Sequence, residues 1–195
     1  MPAAQLPTVD PATYLQQERE ATEKSEYLNG QVYAMAGASR EHNQLVFNLA
    51  GLLHSQLRGS PCSAYINDMR VRSRATEAYF YPDLTVVCND AEFEDDEMDT
   101  LLNPVLIIEV LSPSTEGYDR GAKFAHYRRM ESLREYVLIA QDRYSIERYI
   151  RGDDGQWTLS EANSPESLIE LVTIGCQLRV DEVYEKSACN ATRLG

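Results

Sequence analysis

No stretch of this chain comes near the roughly 18 consecutive apolar residues that a membrane-spanning helix requires. The opening residues, MPAAQLPTVDP, have neither the basic start nor the apolar run of a secretory signal. Cysteine is sparse. Cys62, Cys88, Cys176 and Cys189 lie far apart and form no CxxC pair, so they read as free thiols of a reducing cytosol rather than a disulfide framework. Together these absences predict a cytoplasmic protein that does not enter a membrane. Chemistry-bearing patterns are also missing. There is no glycine-rich loop to cradle phosphate, and Ser112 and Ser114 sit in turn chemistry without a nucleophile elbow. His42 and His54 are twelve residues apart and lack the i, i+4 spacing of a zinc-binding helix; a structural role, capping a helix or lining a cleft, suits His42 better. Positive charge is the other shortage: 18 Lys and Arg face 31 Asp and Glu, a net charge of −13. That argues against tight non-specific binding of nucleic acid, which needs a basic surface. It leaves room for a local basic groove.

What is present is ordinary in bulk. The 195 residues are 43% hydrophobic and 25% charged, as in a soluble globular domain. A chain of this size buries about 70% of its unfolded surface and needs no staple. One domain over residues 10–188, behind a loose tail over 1–9, is expected. The charge is unevenly spread. The segment from Asn89 to Thr100 holds seven acids and no base, more than half of the excess, and is expected to be an exposed, mobile loop. Arg120, Lys123, Arg128, Arg129, Arg134, Arg143, Arg148 and Arg151 fall in one stretch. Arg70, Arg72 and Arg74 alternate and would share one face of a strand. Both clusters fit a solvated surface as well as a basic groove.

The element pattern is mixed. Asp10-Pro11 reads as an N-cap with proline in the first turn, opening a helix to about Lys24. Asn29-Gly30 between short apolar runs predicts a hairpin. Ser39 caps a second helix, with Leu45, Leu49, Leu52 and Leu53 at helical spacing, ending near Arg58-Gly59. CSAYINDMRVRS and AYFYPDLTVVC are expected to pair as a hairpin about a turn at Ala75–Glu77. VLIIEVL is a continuous apolar run, the mark of a strand buried on both faces. A helix over about Arg120–Met130, a strand EYVLIA, and a meander of YSIERYIR and QWTLSEA joined at Asp154-Gly155 follow. A short strand and a turn of helix close the chain. The fold class is therefore α/β in the broad sense, an α+β arrangement with a mixed sheet flanked by helices. Trp157, in the meander, reads as core.

Two residues break this pattern. Glu109 lies among valine, leucine and isoleucine in the central strand, where an ionised carboxylate costs several kcal/mol unless it is paired or holds a metal. Asp83 follows Pro82, which belongs at a strand start, an edge or a bulge, and a bulge re-aims the next side chain. A buried salt bridge for Glu109 and a solvent-facing Asp83 are the plainer readings of each alone. On neighbouring strands, the pair could share one Mg²⁺, an ion that takes oxygen ligands and keeps several waters.

At these residues the chain resembles the restriction-endonuclease-like superfamily, whose signature is Pro-Asp … (Asp/Glu)-x-Lys, and more closely its Uma-two family of endonucleases. The stretches that carry the likeness are EYLNGQVYAMAGAS, His42-Asn43, YPDLTVVC, NPVLIIEVLSPSTEGYDRGAKFAHYR and EYVLI, in order and over nearly the whole chain. One departure matters: Leu111 stands where the superfamily lysine would be, and Lys123 on the following helix matches the position to which the family moves it. Read without the likeness, Lys123 is a surface lysine paired with Asp119 at helical spacing. The resemblance implies a restriction-endonuclease-like core and hydrolysis of nucleic-acid phosphodiester bonds, DNA foremost. It implies Mg²⁺ or Mn²⁺ held by Asp83, Glu109 and the Val110 carbonyl, with Lys123 acting on the attacking water or the phosphorus. Glu26, His42 and Tyr127 are supporting candidates, Tyr127 sharing a helix face with Lys123. A homodimer would suit cleavage of two strands. The alternatives are a nuclease fold that has lost turnover and serves as a binding module, favoured by Leu111 and the acidic surface, and a metal-free acid/base hydrolase built on the same two carboxylates.

Overall fold

The computed structural model describes residues 8–191. Of the expected tail over 1–9, residues 1–7 lie outside the described residues. Val9 is pinned, its N–H donating to the Gly30 carbonyl (3.0 Å) and its carbonyl accepting from the Tyr27 hydroxyl (2.8 Å).

The elements run α1(Pro11–Glu20), β1(Ser25–Leu28), β2(Gln31–Ala34), α2(Arg40–Gln56), β3(Cys62–Ile66), β4(Arg70–Ser73), β5(Ala78–Phe80), β6(Leu84–Cys88), β7(Thr100–Leu101) and β8(Leu106–Leu111). Then come α3(Glu116–Tyr118), a π-helical turn Asp119–Lys123, α4(Phe124–Tyr127), β9(Glu135–Ala140), β10(Ile146–Arg151), β11(Trp157–Ala162), β12(Leu168–Leu171), β13(Cys176–Arg179), α5(Val180–Val183) and α6(Ala188–Ala191). The capping signals hold. Asp10 accepts from the Ala12 and Thr13 amides, and Ser39 accepts from the His42 amide. α1 ends at Glu20, short of Lys24. The β1–β2 turn needs positive φ at both Asn29 and Gly30 (47° and 89°), the requirement of a type I′ hairpin. A Cβ on Gly30 would also stand 3.0 Å from Cβ of Thr8.

Three sheets result. A six-stranded sheet has the order β11-β10-β9-β8-β6-β3, a five-stranded sheet β2-β1-β5-β4-β7, and β12 pairs with β13. β8 and β9 are parallel and fully buried, as a continuous apolar run requires. Alternation along β8 divides the interior. Leu106, Ile108 and Val110 face a core built with Leu45, Leu49 and Leu53 of α2 and with β12, β13 and α5. Ile107 and Leu111 face a second core with Phe80, Phe124, Tyr127 and Tyr136. Glu109 points with this second set, toward the five-stranded sheet and the 116–127 helical segment. Trp157 packs edge-on against Phe124 at the margin of this second core and is only partly buried.

Three expectations are corrected. The anticipated hairpin is two nested ones in different sheets: β4 pairs with β5, and β3 with β6. The chain changes sheets at Asn67–Met69 on one side and at Tyr81–Asp83 on the other, because Pro82 cannot continue a ladder. The acidic segment is docked rather than loose. β7 lies parallel to β4, Arg19 bridges Asp95 and Asp99, Arg70 pairs with Asp99, and Arg72 with Glu94. Arg70 and Arg72 do share a face, but these acids neutralise it, so it is no basic groove. Cys62 and Cys88 are joined by a disulfide; antiparallel register sets them opposite one another with Cα atoms 3.9 Å apart. Cys176 and Cys189 are free. Among the described residues no helix is long and apolar enough to cross a membrane.

Candidate active site

The site forms where the two larger sheets meet, and each side chain reaches it for a local reason. Asp83 is the last residue before β6. Leu84 pairs with Ile108, so Asp83 falls opposite Glu109 one step further along the ladder. The Asp83 amide lies 3.4 Å from Glu109 Oε2, and the Val110 amide donates to Asp83 Oδ2 at 2.7 Å. Val110 was singled out for its carbonyl; its N–H is the group seen to touch the carboxylate pair. His42, in the first turn of α2, sets Nε2 3.1 Å from Asp83 Oδ2, while its Nδ1 is buried with no hydrogen-bond partner among the described residues.

Lys123 completes the cluster from the helical segment. Its ammonium lies 2.9 Å from Glu109 Oε1, 2.9 Å from Glu26 Oε1 and 3.8 Å from Asp119 Oδ1. A π-helical turn is uncommon and recurs at functional sites. Here it spans Asp119 to Lys123 and carries both onto the face that meets Glu109. Lys123 is 5% exposed, so it is not a surface lysine. Its pairing with Asp119 and its place beside Glu109 are both realised. The Tyr127 hydroxyl donates to Glu109 Oε1 (3.0 Å), and that of Tyr118 to Glu26 Oε2 (3.4 Å). Glu26 projects from β1 and also accepts from the Tyr81 amide at 3.4 Å.

All seven residues singled out in the sequence meet here. Asp119 and Tyr118 were missed as members of the site. For Asp119 the signal was its i, i+4 spacing from Lys123; for Tyr118 there was none, since its role follows from Glu26 folding over it. Ser112 accepts from the Thr115 amide in the turn before α3, a structural role.

Electrostatically the cluster is short of positive charge. Glu26, Glu109 and Asp119 surround one ammonium, and Asp83 adds a fourth carboxylate beside Glu109. Burial pushes the Glu109 carboxyl well above the usual carboxylate range; Lys123 opposes the shift, and Asp83 and Asp119 add to it. Burial raises Asp119 as well. Burial alone would lower Lys123, but Glu109, Glu26 and Asp119 outweigh it and hold the ammonium charged. Among the described residues no group of three or more His, Cys, Asp or Glu side chains is placed to hold a metal ion. The donor set is a pair of carboxylates in a pocket of excess negative charge. That fits Mg²⁺ or Mn²⁺, which binds through one or two carboxylates and fills its remaining positions with water and substrate phosphate.

The site is a carboxylate pair with a lysine beside it, set where two sheets of a mixed α/β fold meet, and comparison places the chain within a family. Residues 11–181 match the Uma2 family, described as "Putative restriction endonuclease", and the chain belongs to that family. Two proteins of Synechocystis sp. (strain ATCC 27184 / PCC 6803 / Kazusa) are similar to it. The uncharacterized protein sll1609 is 42% identical over 159 residues, 82% of this chain and 90% of that protein. The uncharacterized protein slr1290 is 37% identical over 183 residues, 94% and 95% of the two chains. A crystal structure described as "a putative nuclease belonging to DUF820 from Anabaena variabilis ATCC 29413" superposes with a TM-score of 0.73 over 90% of this chain and 97% of that one, at 16% identity. The two share a fold.

Proposed function

We propose that this protein is a metal-dependent endonuclease that hydrolyses phosphodiester bonds of nucleic acid, DNA foremost. The observation that carries the reading is the meeting of Asp83, Glu109 and Lys123, with the ammonium 2.9 Å from Glu109. Asp83 and Glu109, joined by the Val110 carbonyl, would hold Mg²⁺ or Mn²⁺. Bound there, such an ion supplies a water of lowered pKa and a counter-charge for a phosphoryl oxygen.

The remaining work falls to the chain. Lys123 presents N–H donors from a fixed position, held on two sides by Glu26 and Glu109. It can orient the attacking water or stabilise charge building on the phosphorus oxygens, and a preorganised donor in a partly dry site needs no reorganisation as that charge develops. Tyr127 fixes the rotamer of Glu109, and the Val110 amide and His42 fix that of Asp83. The degenerate, binding-only reading drew on the absence of lysine at position 111 as well as on the acidic surface. The first support weakens once Lys123 stands against Glu109. A metal-free carboxylate pair is less consistent with an ammonium inserted beside one of the two acids.

The reading is tested by titrating Mn²⁺ into the protein by calorimetry, with and without DNA, against Asp83→Ala. The expected result is binding to the unaltered protein and none to the variant, with DNA strengthening the former. Equal behaviour of the two, or no binding even with DNA present, would overturn the metal-dependent reading.

A further inference from the structure

Tyr33 is an exposed aromatic residue that the core does not explain. It is 54% exposed, lies on β2 at the edge of the five-stranded sheet, and its side chain has no hydrogen bond, ion pair or ring contact among the described residues. Its register partner is Glu26. Residues directly opposite in an antiparallel pair project to the same face, with Cβ atoms about 5 Å apart. Glu26 reaches Lys123 on that face, so Tyr33 stands beside the carboxylate site. Met35 extends the ladder by one step, its N–H donating to the Lys24 carbonyl (3.0 Å), and is also exposed. Across Glu26, Tyr118 supplies a second ring, tethered through its hydroxyl. The mouth of the site thus offers flat and polarisable surface where a nuclease acting on duplex would be expected to offer cations. Three arginines are committed elsewhere: Arg70 and Arg72 to the acidic segment, and Arg120 to Glu116 and Glu147.

We infer that the site takes nucleic acid as an unpaired strand, with Tyr33 stacking on a base next to the scissile phosphate. The inference rests on the nuclease reading above and names its substrate class. Stacking suits this molecule because it does not depend on net charge, and every base has a π-face, so the contact tolerates sequence. A paired base keeps its faces inside the helix and cannot meet the ring without being unstacked first.

The test measures binding and cleavage separately. Fluorescence anisotropy is read for a labelled 20-nucleotide DNA strand, and for its duplex, with the unaltered protein, Tyr33→Phe and Tyr33→Ala. The strand is expected to bind more tightly than the duplex. Tyr33→Ala is expected to weaken strand binding about 5- to 150-fold, the range of one base–aromatic stack, and Tyr33→Phe to keep it, because the ring and not the hydroxyl is used. Tyr33 sits on an edge strand with an exposed side chain, so neither change should alter the melting temperature. Preference for duplex, strand binding indifferent to Tyr33→Ala, or no binding of either form overturns the inference. Cleavage of the same strand with Mn²⁺ reports on the parent reading. Tyr33-dependent binding without cleavage keeps the stacking role and refutes the nuclease. Cleavage that is insensitive to Tyr33→Ala does the reverse.

Discussion

Lys123 is the residue on which the site's balance depends. Its ammonium is shared between Glu26 and Glu109 and is almost fully buried. Removing one partner of a buried ion pair leaves uncompensated charge, at a cost of about 3–5 kcal/mol. Lys123→Met should therefore lower the unfolding free energy by that amount, read as a fall in the urea midpoint at constant m, as well as abolishing the proposed cleavage. Adding Glu26→Gln to Lys123→Met should recover part of the loss, since one stranded carboxylate is gone. A neutral Lys123→Met would show that the ammonium is not paired in solution. This residue also marks how far the sequence could be read. Asp83 and Glu109 stood out because they violate local pattern, a proline-kinked strand start and an acid in an apolar strand. Lys123 violates nothing: in one dimension a lysine on a helix four residues after an aspartate is a surface residue. Only the resemblance, and then the fold, moved it inside. His42 was weighed as a helix cap or a cleft-lining residue, and its contact with Asp83 depends on α2 starting beside the β6 entry, which no local pattern encodes.

At the scale of elements, the signals that depend on neighbours in sequence survived and those that depend on partners did not. The Asp10 and Ser39 caps, the Asn29-Gly30 turn and the buried runs of β8 and β9 are set by short-range chemistry. The β3–β6 region went wrong because alternation shows that strands exist but not which sheet they join. The acidic segment went wrong because a charge run reads as solvated unless the cations that face it are known. Those cations, Arg19, Arg70 and Arg72, come from α1 and β4. Their grip has a pH signature. A hydrogen bond from Arg19 holds the Asp99 carboxyl below the usual carboxylate range; burial opposes it, and Arg70 adds to the lowering. A carboxylate whose folded pKa is depressed contributes stability above its unfolded value of 3.8, and that contribution fades as pH falls through the folded value. Thermal melts should therefore show Asp99→Asn less stable than the parent at pH 7 and the gap closing as pH falls below 4. A gap unchanged by pH would mean that the segment is held by β7 pairing and Phe93 packing rather than by the ion pairs.

For the whole molecule, the net charge of −13 sets the terms on which nucleic acid can be held. Long-range attraction is absent, and several arginines are spent on acids of this chain: Arg19, Arg70, Arg72, Arg120, Arg143 and Arg148 all lie within 4.0 Å of a carboxylate. Binding must then draw on the ammonium at the site, on a metal ion bridging carboxylate and phosphate, and on ring stacking at Tyr33. Of these only the phosphate contacts release counterions. Each phosphate neutralised on a single strand adds about 0.7 to the slope of log K against log salt, so a footprint of three phosphates or fewer gives a slope no steeper than about −2. A protein that held eight phosphates with lysine and arginine would show about −6 by the same relation. Anisotropy titrations of the 20-nucleotide strand between 50 and 300 mM KCl, at fixed Mn²⁺, decide between these regimes. The shallow slope is expected here, and it should persist in Tyr33→Ala, because stacking weakens affinity equally at every salt concentration. A steep slope would mean that a basic surface operates after all, assembled from arginines freed from their carboxylates when the strand binds.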